Sequence, residues 1–221
     1  MPTLAAALLA PLAASADVGP ALEQAGWREL VFRGRETNRF EARAQGIEVV
    51  SRQSVSVLWR DVEAAPSSTP LLRWRWRVEE AVPPTDLSRK GGDDRSLAVY
   101  VAFAFDAASA GFWERAKRAA LGAFTDDPLP GQVLTYVWGG EGPEGWFANP
   151  HLPGGGMLRV LRGSGAPLGR WLEEEVDLEA DFRAAFGAEP GAVMGLGISA
   201  DSDDTGSHAR GRVAGLVFEP R

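Results

Sequence analysis

The stretch Leu71-Leu-Arg-Trp-Arg-Trp-Arg-Val78 decides the fold, because its side chains alternate strictly between apolar and charged from residue 72 onward. This alternation predicts a β-strand with opposite faces of different character. One face carries two indoles between aliphatic residues and belongs in a core. The other face carries Arg73, Arg75 and Arg77, whose guanidiniums require anionic partners. We therefore predict a core strand whose outer face meets acidic side chains or an anionic ligand.

Short predicted strands flank this stretch and are separated by glycine, proline and polar turn residues. Those before it span 27–33, 39–45, 47–51 and 54–62. Those after it span 96–105, 132–138, 157–162, 170–176, 192–200 and 209–218. The two strands on either side of 163–169 are predicted to pair as a hairpin. Apolar residues at helical spacing predict helices over 110–123 and 178–186. The pattern indicates a mainly β protein, a single antiparallel β-sandwich of jelly-roll type with one or two peripheral helices.

The segment 96–105 is the most apolar of the predicted strands. Large apolar side chains occupy one of its faces, and the other face carries alanines and Tyr100. A strand that is apolar on both faces is typical of a central, doubly covered position. In the strand 192–200, Gly195 and Gly197 predict close packing against a neighbour.

Composition limits the classes of function. The chain has 221 residues, of which 45% are hydrophobic, so it can bury one large core. A net charge of −7 argues against nucleic acid and anionic membranes as partners. The absence of cysteine excludes disulfides, thiolate zinc sites and cysteine nucleophiles.

The N-terminal residues resemble a secretory signal. An apolar run over 4–14 precedes the small-x-small sequence Ala14-Ser-Ala16, although no Lys or Arg stands before the run. The run is shorter than the ~20 residues of a membrane span, so no membrane insertion is expected. We predict a signal peptide over 1–16, a single domain over 17–221 and a periplasmic or secreted protein. An ordinary N-terminal helix packed on the domain is the alternative.

The loop Asp201-Ser-Asp-Asp-Thr-Gly-Ser207 directly follows a predicted buried strand. Its carboxylates Asp201, Asp203 and Asp204 are hard oxygen ligands that could hold a cation, with Ca²⁺ the candidate. The loop does not fit the EF-hand frame, and no organic cofactor is expected. The alternative is a solvated turn or a loop paired with arginine.

Asp93 and Asp94 lie on the loop that joins the Arg-Trp strand to the strand 96–105. Their carboxylates are expected to approach Arg75 or Arg77. Such a meeting would be either a set of structural salt bridges or a site for an anion or a sugar.

Tyr136 and Trp138 lie in a predicted strand, and Trp146 and Trp171 lie in turns or strands nearby. An exposed indole on a groove could stack on a sugar ring, whereas most strand indoles lie in the core. The candidate ligand-binding residues are Arg75, Arg77, Asp93, Asp94, Tyr136 and Trp138.

The motifs of several enzyme classes are absent: Gly-x-Ser-x-Gly, the Walker A loop and the dinucleotide fingerprint. His151 and His208 show no metal-ligand spacing. Tyr100 or Tyr136, paired with His151, could remove a proton in a polysaccharide lyase. The acidic loops could supply the two carboxylates of a glycosidase.

Three stretches together resemble the DUF3047 family of uncharacterised exported bacterial proteins. They are the Leu72–Val78 strand with the following Gly92-Asp-Asp-Arg95 loop, the Thr135-Tyr-Val-Trp138 strand followed by Asn149-Pro150, and the Asp201-Ser-Asp-Asp-Thr-Gly206 loop. The resemblance covers residues 27–218. The family's acidic loop usually reads Asp-x-Asp-Asn-Thr-Gly, and here Asp204 stands at the asparagine position. The resemblance implies export and a β-rich domain, and it implies no particular reaction.

The hypothesis that these observations favour is an exported binding or accessory domain for a carbohydrate or other polar small molecule. Two alternatives stay open from the sequence. One is a polysaccharide-active enzyme, a lyase or a hydrolase, that uses Asp93, Asp94, Asp201 and Asp203 with Arg75. The other is a structural envelope protein without a small-molecule site.

Overall fold

The computed structural model describes residues 18–104 and 131–221. The predicted signal segment 1–16 and the predicted helix 110–123 lie outside these residues. The described chain is mainly β, and its strands form two sheets with a shared apolar core between them. This sandwich-like arrangement confirms the predicted fold class, and the jelly-roll type remains a prediction.

The larger sheet has seven strands in the order β1-β4-β11-β6-β7-β9-β8. All neighbours are antiparallel except β7 and β9, which run parallel. The strands of this sheet are β1 (Trp27–Val31), β4 (Val55–Ala64), β6 (Arg95–Phe103), β7 (Gln132–Trp138), β8 (Phe147–Ala148), β9 (Gly156–Arg162) and β11 (Val193–Asp201).

The smaller sheet has five antiparallel strands in the order β10-β5-β12-β3-β2. Its strands are β2 (Arg39–Arg43), β3 (Gly46–Arg52), β5 (Leu71–Glu80), β10 (Leu172–Asp177) and β12 (His208–Glu219). Because β9 and β10 belong to different sheets, the predicted hairpin across 163–169 is wrong. The connection crosses from one sheet to the other.

Two short helices complete the described structure. Helix α1 spans Pro20–Gln24, and helix α2 spans Leu178–Phe186. The Asp177 carboxylate accepts hydrogen bonds from the backbone N–H groups of Glu179 and Ala180, as an N-cap does. No helix in the described ranges is long and apolar enough to cross a membrane.

The apolar face of β5 forms the centre of the core, as predicted. Leu72, Trp76 and Val78 are completely buried, and Trp74 is 3% exposed. The Trp76 ring lies edge-on to Trp138 of the opposite sheet, with 5.5 Å between ring centroids. Aromatic rings therefore join the two sheets at this strand.

The prediction for β6 is also confirmed. It lies between β11 and β7, and every one of its residues is buried. One face packs in the core between the sheets, and the other packs with Val57, Trp59 and Val133 on the outer side of the larger sheet. This central strand fixes the position of the loop that precedes it.

Candidate functional site

Sheet register brings the two acidic loops together. Strands β6 and β11 are antiparallel neighbours, and Arg95 at the start of β6 lies opposite Asp201 at the end of β11. The loop that enters β6 and the loop that leaves β11 therefore meet at one edge of the larger sheet. Residues 93–94 and 201–204 share this edge although they are more than a hundred positions apart in sequence.

Asp94 is the residue that ties the two loops. It is completely buried. Its carboxylate accepts hydrogen bonds from the backbone N–H of Thr205 at 2.8 Å, from the Thr205 hydroxyl, and from the N–H of Asp204 at 3.2 Å. The backbone carbonyl of Asp94 accepts a further bond from the Thr85 hydroxyl at 2.6 Å. These bonds fix the loop after β11 over the start of β6.

Three carboxylates converge at this edge. Single oxygen atoms of Asp94, Asp201 and Asp203 lie within 4.8 Å of one another, and we call these three residues the acidic cluster. Asp201 is 7% exposed, and its Oδ1 atom is buried without a hydrogen-bond donor in the described structure. Burial raises the pKa of Asp201 well above its ordinary value, and the nearby carboxylates of Asp203 and Asp94 raise it further, against the opposing effect of Arg95.

Two arginines supply counter-charge. Arg95, 7% exposed, donates to the Asp93 carbonyl and to the Tyr100 hydroxyl, each at 3.0 Å, and lies 3.3 Å from Asp201 Oδ2. Arg35 forms an ion pair with Asp203. Neither arginine donates to the buried Oδ1 of Asp201. That oxygen therefore has no hydrogen-bond donor among the described residues.

Beside the acidic cluster, Asp93 pairs with His151. The imidazole Nε2 lies 2.9 Å from Asp93 Oδ2 and 3.0 Å from Oδ1, and the His151 side chain is about half exposed. Burial by itself raises the pKa of Asp93, but the hydrogen bond to His151 and the charge of Arg95 outweigh it, so this pKa lies below its ordinary value. Asp93 is thus an ionised partner for the imidazole.

The site as a whole carries an excess of negative charge. Five carboxylates, those of residues 93, 94, 201, 203 and 204, face two guanidiniums and one imidazole. Burial raises the pKa of Asp204, and the charges of Asp203, Asp94 and Asp93 add to the effect. Asp93, Asp94 and Asp201 are buried, and carboxylates buried close together favour protonation of one of them or binding of a cation.

A buried polar network supports the loop after β11. The Ser202 hydroxyl lies 2.6 Å from the Ser51 hydroxyl, and Ser51 donates to the Ser54 carbonyl at 2.7 Å. The Asn38 amide donates to the carbonyls of Ser56 and Ala200. These bonds hold the end of β11 against β3 and β4, so the cluster rests on a rigid base.

Arg75 and Arg77 lie elsewhere. They are on the outer face of the smaller sheet, where Arg75 lies over the Trp171 ring at 4.9 Å from its centroid and Arg77 lies 3.0 Å from Glu79. The structure does not bring them to Asp93 or Asp94. The reason is that β5 turns its charged face away from the larger sheet, on which the acidic loops sit.

Tyr136 and Trp138 also lie away from the acidic cluster. Both are almost fully buried in the core between the sheets. The Tyr136 hydroxyl donates to Asp181 of α2 at 2.9 Å, and Arg159 lies 2.8 Å from the same carboxyl group. Tyr136 thus holds α2 on β7, and neither ring faces solvent as a sugar platform would.

Of the predicted site residues, the structure assembles Asp93 and Asp94 with Asp201, Asp203 and Asp204. Sequence reasoning missed Arg95 and Thr205 as members, and it considered Tyr100 and His151 only as a tyrosine–histidine pair. Arg95 could have been found, because a charged residue that directly precedes an apolar strand next to two aspartates is a natural counter-ion.

The described structure is a mainly β, sandwich-like domain with buried carboxylates at one edge of a sheet. The chain belongs to the family described as protein of unknown function DUF3047, whose model matches residues 25–217. The match extends over most of the chain and confirms the resemblance of the three motifs. No curated protein matches the chain.

Proposed function

We propose that this protein is an exported binding domain that holds a divalent cation at the acidic cluster and uses it to bind a polar ligand such as a carbohydrate. The observation that supports the proposal is the convergence of Asp94, Asp201 and Asp203 within 4.8 Å, with a buried Asp201 oxygen that has no donor among the described residues. A cation at this position would neutralise the excess negative charge.

The donor atoms favour Ca²⁺. Carboxylate oxygens are hard ligands, and Ca²⁺ takes about 6–8 oxygen ligands in flexible geometry. Three monodentate carboxylates would leave several coordination positions for water or for the hydroxyl oxygens of a ligand. Asp204 and Thr205, which are exposed on the loop beside the cluster, would border such a ligand.

A calcium titration of the purified protein tests the proposal. At a Ca²⁺ concentration of about 100 times Kd, the free energy of unfolding rises by about 2.7 kcal/mol, which corresponds to a melting temperature about 5–10 °C higher. The double variant Asp201→Asn, Asp203→Asn should lose this rise. Calorimetry with CaCl₂ and with MgCl₂ measures binding directly, and we expect tighter binding of Ca²⁺.

The matched control is Glu63→Gln with Glu144→Gln, which changes net charge equally at two exposed acids outside the site. This control should keep the full calcium response. No heat and no change in melting temperature for the wild-type protein would refute the cation site. An equal loss of response in both double variants would show a nonspecific charge effect.

The Asp93–His151 pair favours a second candidate, a polysaccharide-active enzyme. A buried carboxylate that orients a half-exposed imidazole is the arrangement of a general base. Release of reducing ends or of unsaturated uronates from acidic polysaccharides would favour the enzyme over the binding domain.

Export to the periplasm or the medium completes the proposal. It is supported by the apolar run over 4–14 and by the small-x-small sequence that ends at Ala16.

A further inference from the structure

A second polar site lies on the outer face of the smaller sheet, on strands β2, β3 and β12. A cavity of about 290 Å³ opens there. Its lining is rich in cationic side chains, and we call it the arginine groove. Its principal residues are Arg39, Arg43, Val50, Arg52, His208 and Arg210.

Sheet register explains how the groove forms. Val50 of β3 lies opposite Arg39 of β2 on one side and opposite Arg210 of β12 on the other. Residues directly opposite each other share a face of the sheet. Arg39 and Arg210 therefore flank the half-buried Val50, and their Cα atoms are about 10 Å apart. Arg52 follows on the same face and lies opposite His208. Three guanidiniums and an imidazole therefore border one depression.

Two acidic residues, Glu48 and Glu80, also line the groove. Glu48 is 5% exposed and accepts hydrogen bonds from Arg43 at 2.9 Å and from Arg212 at 3.0 Å. Although burial raises the pKa of Glu48, these two arginines lower it below its ordinary value. Glu48 therefore pairs with Arg43 and Arg212 rather than with Arg39, Arg52 or Arg210.

The remaining cations lack equivalent partners. Arg52 and Arg210 are exposed and form no ion pair with any carboxylate in residues 18–104 and 131–221. Arg39 pairs with Glu41 at 2.8 Å while about half of its side chain stays exposed. In a chain with net charge −7, this local excess of positive charge is unlike the composition as a whole.

A β-bulge adjoins the groove. Arg210 pairs with Glu80 of β5, but the next residue, Gly211, pairs with Val78, so β5 contributes an extra residue there. Bulges redirect side chains and often border functional sites. Among the described residues, Glu80 forms an ion pair with His208, at 3.9 Å, and none with Arg210, although Glu80 and Arg210 lie opposite each other.

We propose that the arginine groove binds an oxoanion, a phosphate, sulfate or carboxylate group, between Arg52 and Arg210 with Arg39 and His208 at its edge. Guanidinium forks match the geometry of these groups, and a flat sheet face fixes the spacing of the forks. The volume of the groove is at the small end of ligand pockets, which suits an anionic group on a monosaccharide-sized molecule. This site does not depend on the cation proposed above.

Calorimetric titration with inorganic phosphate, inorganic sulfate, glucuronate and neutral glucose tests the site. The buffer is free of metal, so that no cation binds at the acidic cluster. Its ionic strength is held constant, so that charge screening is equal in all titrations. We expect saturable binding of at least one anion and no binding of glucose. Arg52→Gln with Arg210→Gln should weaken that binding at least tenfold. Preference for glucuronate would assign a carboxylate as the recognised group, and preference for phosphate or sulfate would assign a tetrahedral group.

The matched control is Arg33→Gln with Arg170→Gln, two exposed arginines that do not line the groove and have no ion pair in the described ranges. The control should bind within twofold of wild type. Arg210→Lys keeps the charge but removes the guanidinium fork. Its affinity for the anion should lie between those of wild type and the double variant. Absence of saturable binding to all three anions, or equal weakening in both double variants that retain the wild-type melting temperature, would overturn the proposal.

Discussion

Asp201 is a carboxylic acid that the fold buries next to two other acids. Asp94 and Asp203 face it from the cluster, and Arg95 faces it from β6. Burial and the two acids raise its pKa more than Arg95 lowers it. Without a cation, the folded protein therefore holds this proton to higher pH than the unfolded chain does.

This difference in proton binding predicts how stability depends on pH in the presence of a chelator. The unfolded chain loses the Asp201 proton near pH 3.9, whereas the folded protein loses it at higher pH. Within that window the folded state binds more protons, so the contribution of Asp201 to stability falls as pH rises. Asp201→Asn should remove this fall and make the metal-free protein more stable than wild type at neutral pH.

Chemical denaturation between pH 4 and 8, with a chelator and then with Ca²⁺, measures the effect. In Ca²⁺ we expect wild type to be more stable than Asp201→Asn, because asparagine is a poorer ligand for the cation than aspartate. A variant that is less stable than wild type at neutral pH under both conditions would indicate that Asp201 is only the structural partner of Arg95.

At the scale of single residues, the sequence identified the acids better than their partners. Aspartates that cluster before and after buried strands can be recognised in the sequence. The contacts of Asp94 with Thr205 and of Asp93 with His151 are not, because they depend on which strands are neighbours. The prediction that Arg75 and Arg77 approach Asp93 or Asp94 is wrong for the same reason. Alternation along a strand shows that its two faces differ, but it does not show which residues pack against each face.

Among the elements, β11 is shaped by its glycines. A Cβ atom at Gly195 would overlap the six-membered ring of Trp59, and one at Gly197 would come within 2.9 Å of Val57. Both observations confirm the close packing that the sequence predicted. The indole of Trp59 lies over the strand because Gly195 has no side chain, and its N–H donates to Asp61 at 2.7 Å.

Gly195→Ala should therefore destabilise the protein by about 1–3 kcal/mol, since added atoms in a packed region force side chains and backbone to move. The melting temperature should fall by about 2–4 °C for each kcal/mol. Gly163→Ala is the matched control, because no atom lies within 4 Å of its Cβ position and its φ is outside the left-handed region. Equal melting temperatures for the two variants would contradict the packing argument.

Strand positions were largely predictable, but their pairing was not. Alternation and turn residues located β5, β6, β7 and β11 because these signals are local. The assignment of β9 and β10 to different sheets depends on long-range packing. A polar connection such as 163–169 can close a hairpin or cross between sheets, and local sequence does not distinguish the two.

At the scale of the whole molecule, two sites of opposite excess charge lie on different sheets. The acidic cluster lies at an edge of the larger sheet, and the arginine groove lies on the outer face of the smaller one. The loop 202–207 leads from the first directly to His208 and the second. The net charge of the chain is a sum over all residues, so composition alone does not show the two sites.

The proposed export is also tested on the molecule as a whole. Expression of the full sequence in a bacterium with two membranes should yield a periplasmic protein. Its intact mass should correspond to a chain that begins at Asp17. Leu8→Arg with Leu9→Arg interrupts the apolar run and should leave the protein in the cytoplasm with residues 1–16 attached. Retention of these residues on wild-type protein recovered from the cytoplasm would contradict the signal peptide.

The position of β12 has a consequence for synthesis. This strand, His208–Glu219, lies between β5 and β3, so the middle of the smaller sheet is filled by residues that follow all its other strands in sequence. While the ribosome is still making the chain, β5 and β3 lack the partner that joins them. The order of the strands therefore predicts that the smaller sheet is completed only after β12 has been synthesised.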